Sequence, residues 1–219
     1  MSNTEQPKVL IAVPSMDQVA REFCMSLALI DKSVANCTLD SIGSSLIYDA
    51  RNKLAKDAIK ADTDWILWLD SDMVVPPDVL ERLLKTAEEH EADIVSGLYF
   101  RRAAPFSPVA FDTVKIDEEQ GITTEVVNFE GHELKGVYEV DAVGFGCVLT
   151  STQVVFEMLA TYKDCFSPLG KSGEDISFCH RAKQLGFKIL LDCDIKCGHV
   201  GHIVVTEDIY KAMNKGDKK

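Results

Sequence analysis

Trp65-Ile66-Leu67-Trp68-Leu69-Asp70-Ser71-Asp72 is the stretch from which the fold of this 219-residue chain reads outward. Five consecutive apolar residues ahead of a polar turn have the length of a strand buried on both faces, and such strands belong to sheets covered by helices. Two carboxylates one residue apart then leave that strand together. Hard oxygen ligands of this kind suit magnesium or manganese, and an ion so held suits a diphosphate, so the expected substrate is a phosphate ester. The plainer alternative is a surface turn in which aspartate bonds its own backbone.

The flanks alternate strand and helix. Val9 to Val13 is a short apolar run stopped by Pro14, and the stretch from Asp17 to Ile30 puts Ala20, Phe23, Cys24, Leu27 and Ala28 on one helical face. A short strand is expected near Cys37 to Leu39, a Ser/Gly-rich turn from Ser41 to Ser45, and a helix from about Asp49 to Lys60 burying Ala50, Leu54 and Ala58. Pro76-Pro77-Asp78 pre-sets a helix whose Val79, Leu80, Leu83, Leu84 and Ala87 share a face, and Ile94 to Leu98 reads as a buried strand. This order predicts an α/β fold: a mostly parallel sheet with helices on both faces, and ligands beyond the carboxyl ends of the strands. Pro14-Ser15, Asp40 and Asp70-Ser71-Asp72 fall at that edge.

From about Arg101 to Glu139, prolines, glycines and short β-branched pieces predict an insertion of hairpins and loops. Val140 to Val143 then restarts a strand, Gly144-Phe145-Gly146 makes a turn or a close backbone approach, and Ser151 caps a helix reaching about Leu159. Gly173-Glu174-Asp175 opens a helix that ends near Leu185-Gly186, and Phe187 to Leu191 reads as a last core strand. A single domain is expected over 1–219, with its core over about 8–203 and a polar tail over 204–219.

Acidic residues outnumber basic ones by 35 to 23, a net charge of −12, which disfavours nonspecific binding to nucleic acid or anionic lipid. The polar start, residues 1–8, followed by only a few apolar residues, fits neither a secretory signal nor a membrane span. Seven cysteines without a regular framework are what a compartment with reduced thiols allows, so a cytoplasmic location is expected. Most of them should be small core residues.

Glu174 and Asp175 at a helix amino terminus suit capping, or a carboxylate that takes a proton from an attacking hydroxyl. Cys197-Gly198-His199-Val200-Gly201-His202 allows three readings: a histidine completing the coordination of a metal held by Asp72, a structural zinc site with Cys193 and Cys197, or a histidine merely hydrogen-bonded. Neutral imidazole suits manganese better than magnesium. Arg51, at a helix start, suits a diphosphate or a surface ion pair, and Arg101 and Arg102 face the same cleft or solvent.

Val9-Leu10-Ile11-Ala12-Val13-Pro14-Ser15, Ala50-Arg51-Asn52, Trp68-Leu69-Asp70-Ser71-Asp72, Gly144-Phe145-Gly146, Gly173-Glu174-Asp175 and Gly198-His199 occur in the order seen in glycosyltransferases of the GT-A fold. The chain resembles the family 2-like members, including short bacterial and phage forms, from residue 8 to about 203. The resemblance implies one Rossmann-like GT-A domain that binds a nucleotide-sugar donor and a divalent metal, usually manganese, and passes the sugar to an acceptor hydroxyl. It implies that Pro14 and Ser15 help hold the nucleotide, and with Asp70, Ser71, Arg51 and Arg101 these make up the expected donor set. It implies metal ligands Asp70, Asp72 and His199, with Asp72 the direct one, and His199 fits better than His202. It implies Asp175 as the base of an inverting reaction and Glu174 as a contact for acceptor hydroxyls, although some relatives with a similar metal set retain configuration. Two other classes stay open. A haloacid-dehalogenase-like phosphohydrolase also has Asp-x-Asp after an apolar strand, but near the amino terminus and followed by Gly-Thr, where this chain has Met73-Val74. A noncatalytic nucleotide-sugar-binding module is the other.

Overall fold

A computed structural model describes residues 6–16, 18–117 and 122–201. Along the chain lie β1 (Lys8–Ser15), α1 (Arg21–Leu29), β2 (Asn36–Gly43), α2 (Ile47–Lys60), β3 (Trp65–Leu69), β4 (Met73–Val74), α3 (Val79–Glu89) and β5 (Ile94–Leu98). They are followed by β6 (Ala110–Asp117), β7 (Ile122–Asn128), β8 (Val137–Glu139), β9 (Ala142–Val143), β10 (Cys147–Ser151), α4 (Thr152–Tyr162), α5 (Glu174–Gln184), β11 (Ile189–Lys196) and β12 (Gly198–His199).

The main sheet has seven strands in the order β2-β1-β3-β10-β5-β11-β8. Five of them, β1, β2, β3, β5 and β11, run one way, while β10 lies antiparallel between β3 and β5, and β8 antiparallel at the edge. Strand alternation sorts the core into two layers. Leu10, Ala12, Ile66 and Trp68 face one layer with Leu54, Val154 and Phe178 of α2, α4 and α5. Val9, Ile11, Val13, Leu67 and Leu69 face the other with Phe23 of α1 and Leu80 and Leu83 of α3. Ile66 through Leu69 are wholly buried because both faces of β3 are covered, and each such side chain contributes roughly 1.5–3 kcal/mol. The insertion forms a small sheet, β7-β6-β9, and β4 pairs with β12 in a two-stranded ribbon.

Several boundaries differ from expectation. In α1 the buried side chains are Phe23 and Ser26, while Cys24 and Ala28 are exposed. The Ser26 hydroxyl donates to the Val75 carbonyl at 3.0 Å and accepts from the Val75 amide at 2.8 Å, so a polar clasp sets which face turns inward. β2 runs through the expected turn to Gly43 because all of β1 pairs with it, and Asp40 therefore lies mid-strand opposite Ala12, not at the strand end. Of the strand expected over Val140 to Val143 only Ala142 and Val143 are strand, as β9 of the small sheet, while β8, just before it, edges the main sheet. Ser151 stands at the N-cap of α4 without a side-chain capping bond, and α4 continues to Tyr162. β11 starts and ends later than expected, with a bulge between Asp192 and Lys196. Five of the seven cysteines are buried. No helix among the described residues is long and apolar enough to cross a membrane.

Candidate functional site

The turn after β3 is fastened at both ends. The Asp70 amide donates to the Gly146 carbonyl at 3.0 Å, and the Met73 amide donates to the Asp70 carbonyl at 3.1 Å. β12 then pairs antiparallel with β4, Gly198 opposite Val74 and His199 opposite Met73, and the Val200 amide donates to the Asp72 carbonyl at 2.8 Å. That register sets the His199 ring beside the Asp72 side chain, with Nε2 3.5 Å from Oδ1. Nδ1 donates to the Phe100 carbonyl at 2.9 Å and Nε2 faces Asp72, to which it donates when the ring is protonated and presents its lone pair when the ring is neutral. Arg102 Nη1 reaches the other Asp72 oxygen at 2.7 Å. Burial pushes the Asp72 carboxyl up, but the His199 bond and the Arg102 charge outweigh it and hold it below the usual carboxylate range. The Asp72 bond raises His199, against burial and with help from the Phe100 carbonyl.

Arg51, on the first turns of α2, joins the second half of the site. Its side chain is only 3% exposed; Nη2 bonds Asp70 Oδ1 at 2.6 Å and Nη1 bonds Glu174 Oε1. The guanidinium also lies over the rings of Phe145 and Phe166, at 5.4 and 5.9 Å. Burial works against its charge, and the two carboxylates more than restore it, so its proton is held more tightly than usual. Burial pushes Asp70 up against the pull of Arg51. Asp175, next to Glu174, is also pushed up, first by burial and then by Glu174, while its Oδ1 accepts from the Ile176 amide at 2.7 Å. A Cβ on Gly173 would lie 2.6 Å from that oxygen, so a side chain there would push the Asp175 carboxylate out of its present position.

Tyr99, at the end of β5, is the buttress between the halves. Its hydroxyl accepts from the Gly146 amide at 3.1 Å, and its ring meets His199 edge-on at 5.6 Å. A Cβ at Gly144 would collide with the Tyr99 hydroxyl, and one at Gly146 would lie 2.8 Å from Tyr99 Cζ, so both glycines are there for close approach. Asn52 holds the loop behind Arg51: its Oδ1 accepts from the amides of Cys165 and Phe166, and Nδ2 donates to Asp164.

The structure thus gathers Arg51, Asp70, Asp72, Glu174, Asp175 and His199. Pro14 and Ser15 lie at the carboxyl end of β1, Ser15 Oγ 3.5 Å from Ser41 Oγ, and the Ser71 carbonyl accepts from the Ala20 amide. Arg101 lies over the Phe111 ring at 5.9 Å, so Arg102 rather than Arg101 meets the aspartate turn. His202 lies outside the described residues. The zinc reading fails on packing: the bulge in β11 sends Cys193 into one core layer and Cys197 into the other. Among the described residues no three or more His, Cys, Asp or Glu side chains gather as a self-sufficient metal site. The phosphohydrolase alternative needs Asp70 as a free nucleophile, whereas its Oδ1 is tied to Arg51. Sequence reasoning missed Tyr99 and Asn52. Tyr99 had only its place two residues before the arginine pair as a signal, and Asn52 stood inside the quoted Ala50-Arg51-Asn52 without a role.

Residues 47–121, from α2 into the β6–β7 hairpin, match Glycosyl transferase family 2. In fold the chain is similar to protein A197 from STIV, with TM-score 0.59 and 15% identity, covering 91% of this chain and 97% of that one. It is similar also to S. aureus TarS 1-349, solved in complex with UDP-GlcNAc, with TM-score 0.54 and 15% identity. That match covers 94% of this chain and 64% of the TarS chain. No curated protein matches the chain by sequence.

Proposed function

We propose that this chain, a GT-A glycosyltransferase of family 2 type, moves a sugar from a nucleotide-sugar donor to an acceptor hydroxyl in a metal-dependent reaction that inverts the anomeric centre. The observation that carries this reading is the ribbon register that sets the His199 imidazole against the Asp72 carboxylate, at the carboxyl edge of the sheet, on the same turn as Asp70, which Arg51 joins to Glu174.

The donor set fits manganese or magnesium. Such ions are commonly held by one or two protein groups, with substrate phosphates and water filling the remaining positions. Asp72 offers a carboxylate that stays ionised, and His199 offers a lone pair whose direction the Phe100 carbonyl fixes. When bound, the ion supplies neutralisation of the charge that grows on the departing diphosphate. Asp70 keeps one oxygen on Arg51 and leaves the other for a ribose hydroxyl or a metal-bound water. Pro14 and Ser15 shape the end of β1 against which the nucleotide lies. Asp175, with Oδ1 held by the Ile176 amide, receives the acceptor proton on its second oxygen, and its raised proton affinity suits that task. Glu174, steadied by Arg51, orients the acceptor hydroxyls.

Asp72→Ala is expected to abolish manganese-dependent binding of nucleoside diphosphates and donors, by at least about a hundredfold on the scale of lost metal contacts, while the fold persists. Calorimetry with and without manganese measures it; undiminished metal-dependent binding would overturn the assignment. Gly173→Ala tests the other half. The new methyl meets only the end of the Asp175 side chain, so the melting temperature should hardly move while turnover falls about tenfold or more as the carboxylate swings away. Unaltered kcat in that variant would remove Asp175 from the acceptor side.

A further inference from the structure

We propose that Arg102 holds the place of the metal: its guanidinium neutralises Asp72 in the unliganded protein, yields that carboxylate to a divalent cation, and then engages the diphosphate of the incoming donor. This rests on the metal reading of Asp72 and His199 above.

The two carboxylates of one turn are served by two very different arginines. Arg51 is locked in the core beneath Asp70, with its side chain 3% exposed. Arg102 meets Asp72 at 2.7 Å while its own side chain remains 54% exposed, against 25% for Asp72. A half-buried carboxylate on the same turn as Asp70 is better paired than unpaired in the resting protein. An ion pair made by so exposed a guanidinium is worth little and breaks readily. Asp72 Oδ2 takes Arg102 while Oδ1 faces His199, so a divalent ion seated between Asp72 and His199 competes with Arg102 for a single negative charge.

The arm that carries Arg102 is anchored at its base and free at the side chain. Phe100 bridges Pro108, and the Arg101 amide donates to the Ser107 carbonyl at 3.0 Å, so the backbone stays in place when the guanidinium leaves. Gly201 lies against the Arg102 stem, where a Cβ would sit 3.4 Å from it, so the stem is packed at its base while the guanidinium is exposed. The displaced fork has the planar, bidentate geometry that phosphate oxygens take, at the edge where a metal-bound diphosphate brings excess negative charge.

The test measures manganese binding to the full-length protein by electron paramagnetic resonance of the free ion. Wild type is compared with Arg102→Gln, with Asp72→Ala, and with Arg101→Gln as a control for general charge. Without nucleotide, Arg102→Gln should bind manganese about fivefold more tightly, the ratio for removing one exposed ion pair, and Arg101→Gln should match wild type. With manganese saturating, the tightest binder among UDP, GDP, CDP and dTDP should bind Arg102→Gln about tenfold more weakly, the loss of one charge-assisted contact. A purely structural arginine would not move the two affinities in opposite directions. Manganese affinity equal to or weaker than wild type, or undiminished nucleotide affinity, overturns the exchange. If manganese binds wild type and is lost in Asp72→Ala while Arg102→Gln is unchanged, the exchange alone fails; no manganese or nucleotide binding to wild type sinks the metal reading with it.

Discussion

Asp175→Asn should bind the donor as wild type does and transfer sugar about a thousandfold more slowly, the range expected when a general base is removed without disturbing geometry. Asparagine keeps an oxygen for the Ile176 amide, so α5 should start as before, but it has no carboxylate to accept a proton. Calorimetry for donor affinity and product formation for kcat separate the two effects. The wild-type pH profile carries a matching signature. Burial, then Glu174, raise the Asp175 carboxyl above 3.8, so as pH falls through that raised value the base is protonated and kcat is lost. The acid limb should lie above the ordinary carboxylate range and vanish from the residual rate of the variant. Turnover undiminished in Asp175→Asn would remove Asp175 as the base, and donor binding without any transfer by wild type would return the chain to the class of nucleotide-sugar-binding modules.

Arg51→Met should cost about 3 kcal/mol of stability, because removing one partner of a buried ionic cluster strands the others. Methionine fills much of the volume over Phe145 and Phe166, but Asp70 and Glu174, 30% and 20% exposed, then face each other without a cation. For a chain of this size that corresponds to a fall in melting temperature of roughly 10 °C. The sign of the pH dependence identifies the cause. The stranded carboxylates are relieved by protonation, so the folded variant binds protons more readily than its unfolded chain, and the deficit is full near pH 8 and narrows toward about pH 5. A deficit that is the same at both pH values would mean lost packing over the two phenylalanines, not lost charge.

Much of the architecture was legible because it is local. The β3 run, β5 and the apolar faces of α2 and α3 announce themselves by period and by their flanking prolines and acids. The acidic turn and the Gly-Glu-Asp helix start were readable for the same reason: each is a contiguous signal. What escaped was nonlocal or a matter of degree. No period reveals that β10 wedges backwards between β3 and β5, because a buried antiparallel strand in a covered sheet is as uniformly apolar as a parallel one. The inward face of α1 was misjudged because a serine hydroxyl serves the Val75 peptide group where apolarity was the only guide. Arg101 and Arg102 are equivalent in composition, and only the strand end at Leu98 and the Phe100–Pro108 bridge decide which one turns toward Asp72. Tyr99 is an aromatic at a strand end until the two glycines of the β9–β10 connection are folded against it.

The ribbon between β4 and β12 has a temporal consequence. Its first strand emerges from the ribosome early and its second only after β11, with most of the chain threaded between them. Contacts this distant in sequence carry the largest loop-closure entropy and form after the nearer ones. A nascent chain can therefore complete β1, β2 and β3 and bury Trp68 well before His199 arrives to flank Asp72. The Asp72–His199 half of the site is the last part to mature, so a polypeptide stalled before residue 199 would fold much of its sheet while Asp72 still lacked its histidine neighbour.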